Sequence, residues 1–298
     1  MSAAPVPTNV PAAAGAIARL PVSLPQLAEK KRLGEPIVMV TAYDYPSAVV
    51  AEQAGVDVVL VGDSGAMTVL GYSSTVPVSI EEMLMLASAA RRGLRTPLLV
   101  ADLPFGSFEA SDQQAIETAR RFIKEAGCDA VKIEANGVAV ERARALVNAG
   151  IPVMGHVGLT PQTATALGGY RAQGRTAQRA LDVARDAIAL QEAGCFSIVF
   201  EAIPAPVATV LMERMEVPII GIGAGASTDG QVLVFHDLLG IRDGVGARFV
   251  KRYADIQDEM VAGVRAYAED VRTQRYPEAD HTYSIDPVEF ERFRSELG

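Results

Sequence analysis

With 298 residues, 49% of them hydrophobic, the chain has material for a full core, which excludes disorder as its default state. A net charge of -9 and a pI near 5.0 exclude loose binding to nucleic acid or an anionic membrane, since both would repel it, and leave small molecules as the expected partners. The two cysteines, Cys128 and Cys195, are too few for a disulfide framework and point to a reducing compartment, the cytoplasm.

The opening MSAAPVPTNVPAAAGAIARL is rich in Ala and Pro and lacks the basic start and unbroken apolar centre of a signal peptide. It reads as a flexible arm over residues 1–25. No apolar stretch reaches the ~18 residues of a membrane span. Eight short apolar runs follow: Ile37 to Val40, Val58 to Val61, Leu98 to Ala101, Ala130 to Ile133, Val153 to Met154, Ile198 to Phe200, Ile219 to Ile222 and Val232 to Phe235. Unbroken Val/Ile/Leu runs suit strands covered on both faces. Segments of helical composition lie between them. Ser79 to Arg92 opens with a capping box of Ser79 and Glu82, and Ser111 to Ala126 is a second cover. The pairs Ala54-Gly55, Ala126-Gly127, Ala149-Gly150 and Ala193-Gly194 each close such a segment, with the glycine placed for the left-handed position past a helix end. The repeated βα pattern predicts an α/β fold, a (β/α)8 TIM barrel, as one catalytic domain over residues 26–272. Residues 273–298 read as a charged tail able to dock on a neighbouring subunit.

Four runs end in an acid: VVLVGD at Asp63, LLVAD at Asp102, AVKIE at Glu134 and SIVFE at Glu201. Strand C-terminal ends of a barrel point into the catalytic mouth, so these carboxylates are expected in one cleft. Like charges gathered there require a cation or protonation of some members. Oxygen donors without a His/Cys cluster favour a hard ion, magnesium or manganese. Read singly, each acid could equally be a helix cap or a solvated loop residue. Lys132 is two residues from Glu134 and so shares its face. It could bind an anionic substrate or form a salt bridge within the barrel. His156 in VMGHVGLTP and Asp44 in TAYD also fall at strand ends, as second-tier candidates; a histidine there could position an acid or serve only as a hydrogen-bond partner. Gly221-Ile-Gly223-Ala-Gly225-Ala226 has the look of a dinucleotide-binding turn, but no strand-helix continuation with an acid follows it. Those glycines either let a loop approach a ligand or relieve crowding.

Taken together, VTAYDY, VGDSGAMTVLGYSST, ADLPF, VKIE, GHVGLTPQ, GGYRAQGR, FEAIP and IGIGAGASTDGQ resemble the ketopantoate hydroxymethyltransferase family, in family order. The resemblance implies a barrel of the phosphoenolpyruvate/pyruvate type, commonly assembled as a homodecamer. It implies transfer of a one-carbon unit from 5,10-methylenetetrahydrofolate to 3-methyl-2-oxobutanoate, giving 2-dehydropantoate on the route to pantothenate and coenzyme A. By the same resemblance Asp63 and Asp102 bind magnesium, one ion per subunit, and Glu134 completes the metal site directly or through water. Ser64 and Lys132 hold the oxo acid, with Asp63 and Asp102 against it through the metal. Glu201 is the general base, and His156 stands near the site. GDSGAM replaces the family's usual GDSLGM. Two rival readings share these residues: another magnesium-dependent barrel lyase or mutase acting on a small 2-oxo acid, and a non-catalytic binding barrel.

Overall fold

The computed structural model describes residues 19–135, 137–242 and 246–298. In chain order it runs α1 (Leu24–Leu33), β1 (Ile37–Thr41), α2 (Tyr45–Ala54), β2 (Val58–Val61), α3 (Gly65–Thr68), α4 (Ile80–Gly93), β3 (Leu98–Asp102) and α5 (Asp112–Lys124). Then come β4 (Ala130–Glu134), α6 (Ala139–Asn148), β5 (Val153–Gly158), α7 (Ala164–Leu167), α8 (Ala177–Glu192), β6 (Ser197–Glu201), α9 (Ala205–Met212), β7 (Ile219–Ile222), β8 (Gly230–Leu233) and α10 (Phe235–Leu239). Helices α11 (Ile256–Arg272) and α12 (Pro287–Leu297) end the chain. The described residues form two compact units, one of residues 19–238 and 246–251, the other of 239–242 and 252–298.

All eight strands are parallel, each pairs with its neighbours in sequence, and β8 closes on β1, so the sheet is the expected closed barrel. Side chains alternate along each strand. The inward set, Ile37, Met39, Val58, Leu60, Leu98, Val100, Ala130, Met154, Val199, Ile220 and Val232, packs into one buried cluster. Leu27 of α1 joins that cluster, with Val22 and Leu24 packed against it, so α1 covers the end where the strands begin. Residues 1–18 of the expected arm lie outside the described residues. Arg19 already binds Asp57, Nη2 to Oδ1 at 3.0 Å, and Lys30 of α1 reaches the other oxygen at 3.1 Å.

The covering helices form where local signals direct. Ser79 accepts a hydrogen bond from Glu82 N–H while Glu82 accepts from Ser79 N–H, which closes the capping box that starts α4. Ser111 caps α5, which buries Ala115, Thr118, Ala119 and Phe122, one helical stripe. Gly55, Gly127, Gly150 and Gly194 all take positive φ. Three details depart from the sequence pattern. Strand β8 begins at Gly230 rather than Val232, because a glycine lets the chain lie close against Ile37, its partner in β1. Phe235 N–H bonds the Thr41 hydroxyl at 2.9 Å and opens α10 instead of ending the strand. Residues 223–229 link β7 to β8 without a helix. Gly225 packs against Ala205 and Gly223 against the Phe249 ring, so these glycines relieve crowding.

In the second unit α11 buries none of its side chains, and Met260, Val261, Val264 and Tyr267 are exposed along it.

Candidate active site

Continuing the inward parity of each strand upward from the apolar floor gives Asp102 on β3, Lys132 and Glu134 on β4, His156 on β5 and Glu201 on β6. The register sets Asp102 beside Lys132, Glu134 beside His156 and Gly158 beside Glu201. Asp63 lies two residues past the end of β2 and is drawn in by its own backbone, whose N–H donates to Asp102 Oδ2 at 3.0 Å. Asp63, Asp102, Lys132, Glu134 and His156 are all at least 95% buried.

Lys132 Nζ forms a salt bridge with Asp102 Oδ1 at 2.7 Å and lies 3.3 Å from His156 Nδ1. Nδ1 is 3.5 Å from Glu134 Oε1, and Nε2 is 3.2 Å from Glu201 Oε2. The sequence left Lys132 between a substrate ligand and a salt bridge. It forms the salt bridge here, at a position open to both roles.

Charge is the dominant feature. Burial and the neighbouring Asp102 and Glu134 carboxylates hold Asp63 well above the usual carboxylate range, against the opposing pull of Lys132 and Gln162. Burial would strip the proton from Lys132, but Asp102, Glu134 and Asp63 overcome it and raise the ammonium's pKa. Burial and the Lys132 ammonium likewise press His156 downward; Glu134 and Glu201 outweigh both and push the ring up to about 9. The imidazole sits between two acids, Glu134 at Nδ1 and Glu201 at Nε2.

Ser64 heads α3 immediately after Asp63, with its Oγ 2.8 Å from the Tyr43 hydroxyl. Tyr43 is buried, which pushes its phenol up to about 12 and keeps it neutral beside the serine. A Cβ on Gly65 would meet the Tyr43 ring at 2.7 Å, so the glycine of GDSGAM makes room for that ring. Asp44 does not join the group. It is exposed and caps α2, accepting from Ser47 N–H at 2.8 Å.

Gln162, which the sequence reading did not single out, is buried among the acids. Its side-chain amide donates to Asp63 Oδ2 at 2.9 Å, and its backbone N–H donates to Glu134 Oε2 at 2.9 Å. The Tyr170 phenol is raised by partial burial and by the charges of Asp63, Glu134 and Glu201. Ala202 follows Glu201 with φ of 49°, a left-handed conformation that alanine rarely adopts. Gly158 turns with φ of 98° against the Glu201 carbonyl, where a Cβ would overlap that oxygen.

Among the described residues no three His, Cys, Asp or Glu side chains form a ready-made metal cage. Asp63 and Asp102 are the adjacent pair of buried carboxylates, while both Glu134 oxygens face protein groups, Gln162 and His156.

Fold and rim together define a parallel barrel enzyme with a buried, acid-lined mouth. The chain belongs to the ketopantoate hydroxymethyltransferase family, whose pattern it matches over residues 21–279. A 3-methyl-2-oxobutanoate hydroxymethyltransferase of Carboxydothermus hydrogenoformans is 50% identical over 274 residues, 91% of this chain and 98% of that protein. Among solved structures, 2,3-dimethylmalate lyase, a PEP mutase/isocitrate lyase superfamily member, matches with a TM-score of 0.57 at 17% identity, covering 92% of this chain and 98% of that one. Phosphonopyruvate hydrolase in complex with oxalate and Mg++ gives 0.56 at 14% identity, covering 92% and 97%. These likenesses fix the barrel type.

Proposed function

We propose that this chain transfers a hydroxymethyl group from 5,10-methylenetetrahydrofolate to 3-methyl-2-oxobutanoate, giving 2-dehydropantoate and tetrahydrofolate, in the synthesis of pantothenate and coenzyme A. The observation that carries the reading is the meeting of Asp63, Asp102, Lys132, Glu134 and His156 at one end of the barrel in a chain of this family.

The donor set fits a hard divalent cation. Two adjacent buried carboxylates, Asp63 and Asp102, match the way magnesium is held by one or two carboxylates with water and substrate completing its shell. Asp63 and Asp102 would hold one magnesium ion per subunit, with Glu134 reaching it through water. When bound, the ion supplies positive charge beside the oxygen on which enolate charge gathers.

The remaining roles belong to the protein. Ser64, oriented by Tyr43, and the Lys132 ammonium bind the oxo acid's anionic end. Glu201, the least buried acid of the group at 16% side-chain exposure, takes the proton from the carbon next to the keto group. His156 stands beside Glu201, its Nε2 3.2 Å from Oε2 in a charge contact. Pairing two bound reactants in one mouth supplies much of the remaining acceleration. Both cysteines are free and buried, in keeping with the reducing cytoplasm proposed as its location. The apolar side chains exposed on α11 and α12 support assembly as a homo-oligomer, with the homodecamer of the family as the proposed form.

The test is proton exchange in deuterated water, followed by NMR. With magnesium and the oxo acid, the wild type should exchange the C3 proton without folate and form product only when folate is added. Glu201→Gln should bind both ligands and lose the exchange. A variant that exchanges at the wild-type rate refutes Glu201 as the base.

A further inference from the structure

Gln162 lies on the single 3-10 turn Pro161–Thr163 that follows β5, and it is 95% buried. Its Nε2 has two acceptors, Asp63 Oδ2 at 2.9 Å and the Leu103 carbonyl at 3.0 Å. An oxygen could not sit between two acceptors, so the orientation of this amide is fixed by its neighbours. The backbone N–H of the same residue donates to Glu134 Oε2. One residue thus ties together the loop after β2, the residue after β3, the end of β4 and the turn after β5. Its Oε1 is buried and has no hydrogen-bond partner. Buried acceptors are normally satisfied by protein or by water, so this oxygen is available to a water molecule.

We propose that Gln162 is a positioning residue for the metal carboxylates. It engages Oδ2 of Asp63 and so leaves Oδ1 to the cation, it fixes Glu134 behind, and it offers Oε1 to a water molecule of the ion's hydration shell. This rests on the metal reading given above. Groups that orient ligands in this way govern metal affinity as well as turnover.

The experiment is titration of the full-length, metal-free protein with Mn2+, free ion being followed by electron paramagnetic resonance. Gln162→Met keeps the volume and the backbone donor to Glu134 while removing the amide. With the fold verified by circular dichroism, its Mn2+ dissociation constant should rise about 10- to 100-fold. Should that variant fail to fold, Gln162→Asn, whose amide falls short of Asp63, is titrated in its place and should weaken binding in the same direction. A folded variant with wild-type Mn2+ affinity overturns the role of Gln162 and leaves the metal site standing. A wild-type protein that binds no Mn2+ overturns both.

Discussion

Replacing Lys132 by methionine would leave Asp102 buried without its countercharge, 2.7 Å from where the ammonium stood, with Asp63 and Glu134 still pressing on the same space. Both members of the pair have only 4% of their side chains exposed, so water cannot take over. Removing one partner of such a buried pair costs about 3–5 kcal/mol. At roughly 2–4 °C per kcal/mol for a large domain, the metal-free variant should melt about 6–20 °C below the wild type. The assay is a thermal melt at neutral pH with chelator present, at one protein concentration so that any assembly equilibrium is held fixed. The double variant Lys132→Met, Asp102→Asn removes both charges and should recover much of the loss. A single variant that melts with the wild type would refute the claim that Lys132 neutralises the acids of the mouth.

Two further expectations are independent of that one. Gly158→Ala forces a Cβ into the Glu201 carbonyl at a left-handed φ, and the shift of the base should lower kcat by about 10²-fold in a protein that still folds; a wild-type kcat would show that the end of β6 is free to move. Cys128 and Cys195 are buried and their thiols are pushed up to about 12, so neither should react with a disulfide reagent at pH 8 until the chain is denatured, when both should. Rapid titration of either thiol in the native protein would contradict the packing around it.

What the sequence disclosed follows from how each signal is written. The acids could be read because a barrel strand is a short apolar run: Asp102, Glu134 and Glu201 are the last residues of theirs, and Asp63 stands two residues past β2. Gln162 carried no such mark: it sits on a turn, in no periodic pattern, and only the tertiary structure brings its amide to Asp63. Tyr43 carried no mark either: it is a buried aromatic whose hydrogen bond to Ser64 is set by the fold. Asp44 misled for the opposite reason, since an acid between a strand and a helix is also the best helix cap, and at that position capping decided its place. The missing helix between β7 and β8 could be suspected from the glycines, but the crowding of Gly223 and Gly225 against Phe249 and Ala205 is a long-range fact.

Because floor and chemistry share one column of side chains in β3, β4, β5 and β6, the barrel cannot be edited piecemeal. A single residue inserted near the start of β4 would rotate Lys132 and Glu134 toward the helices and swing Val131 and Ile133 into the mouth, erasing salt bridge and reactive rim in one stroke. An insertion in a connecting loop leaves that column intact, and the strands behave as a ruler whose spacing encodes folding and reactivity in the same marks.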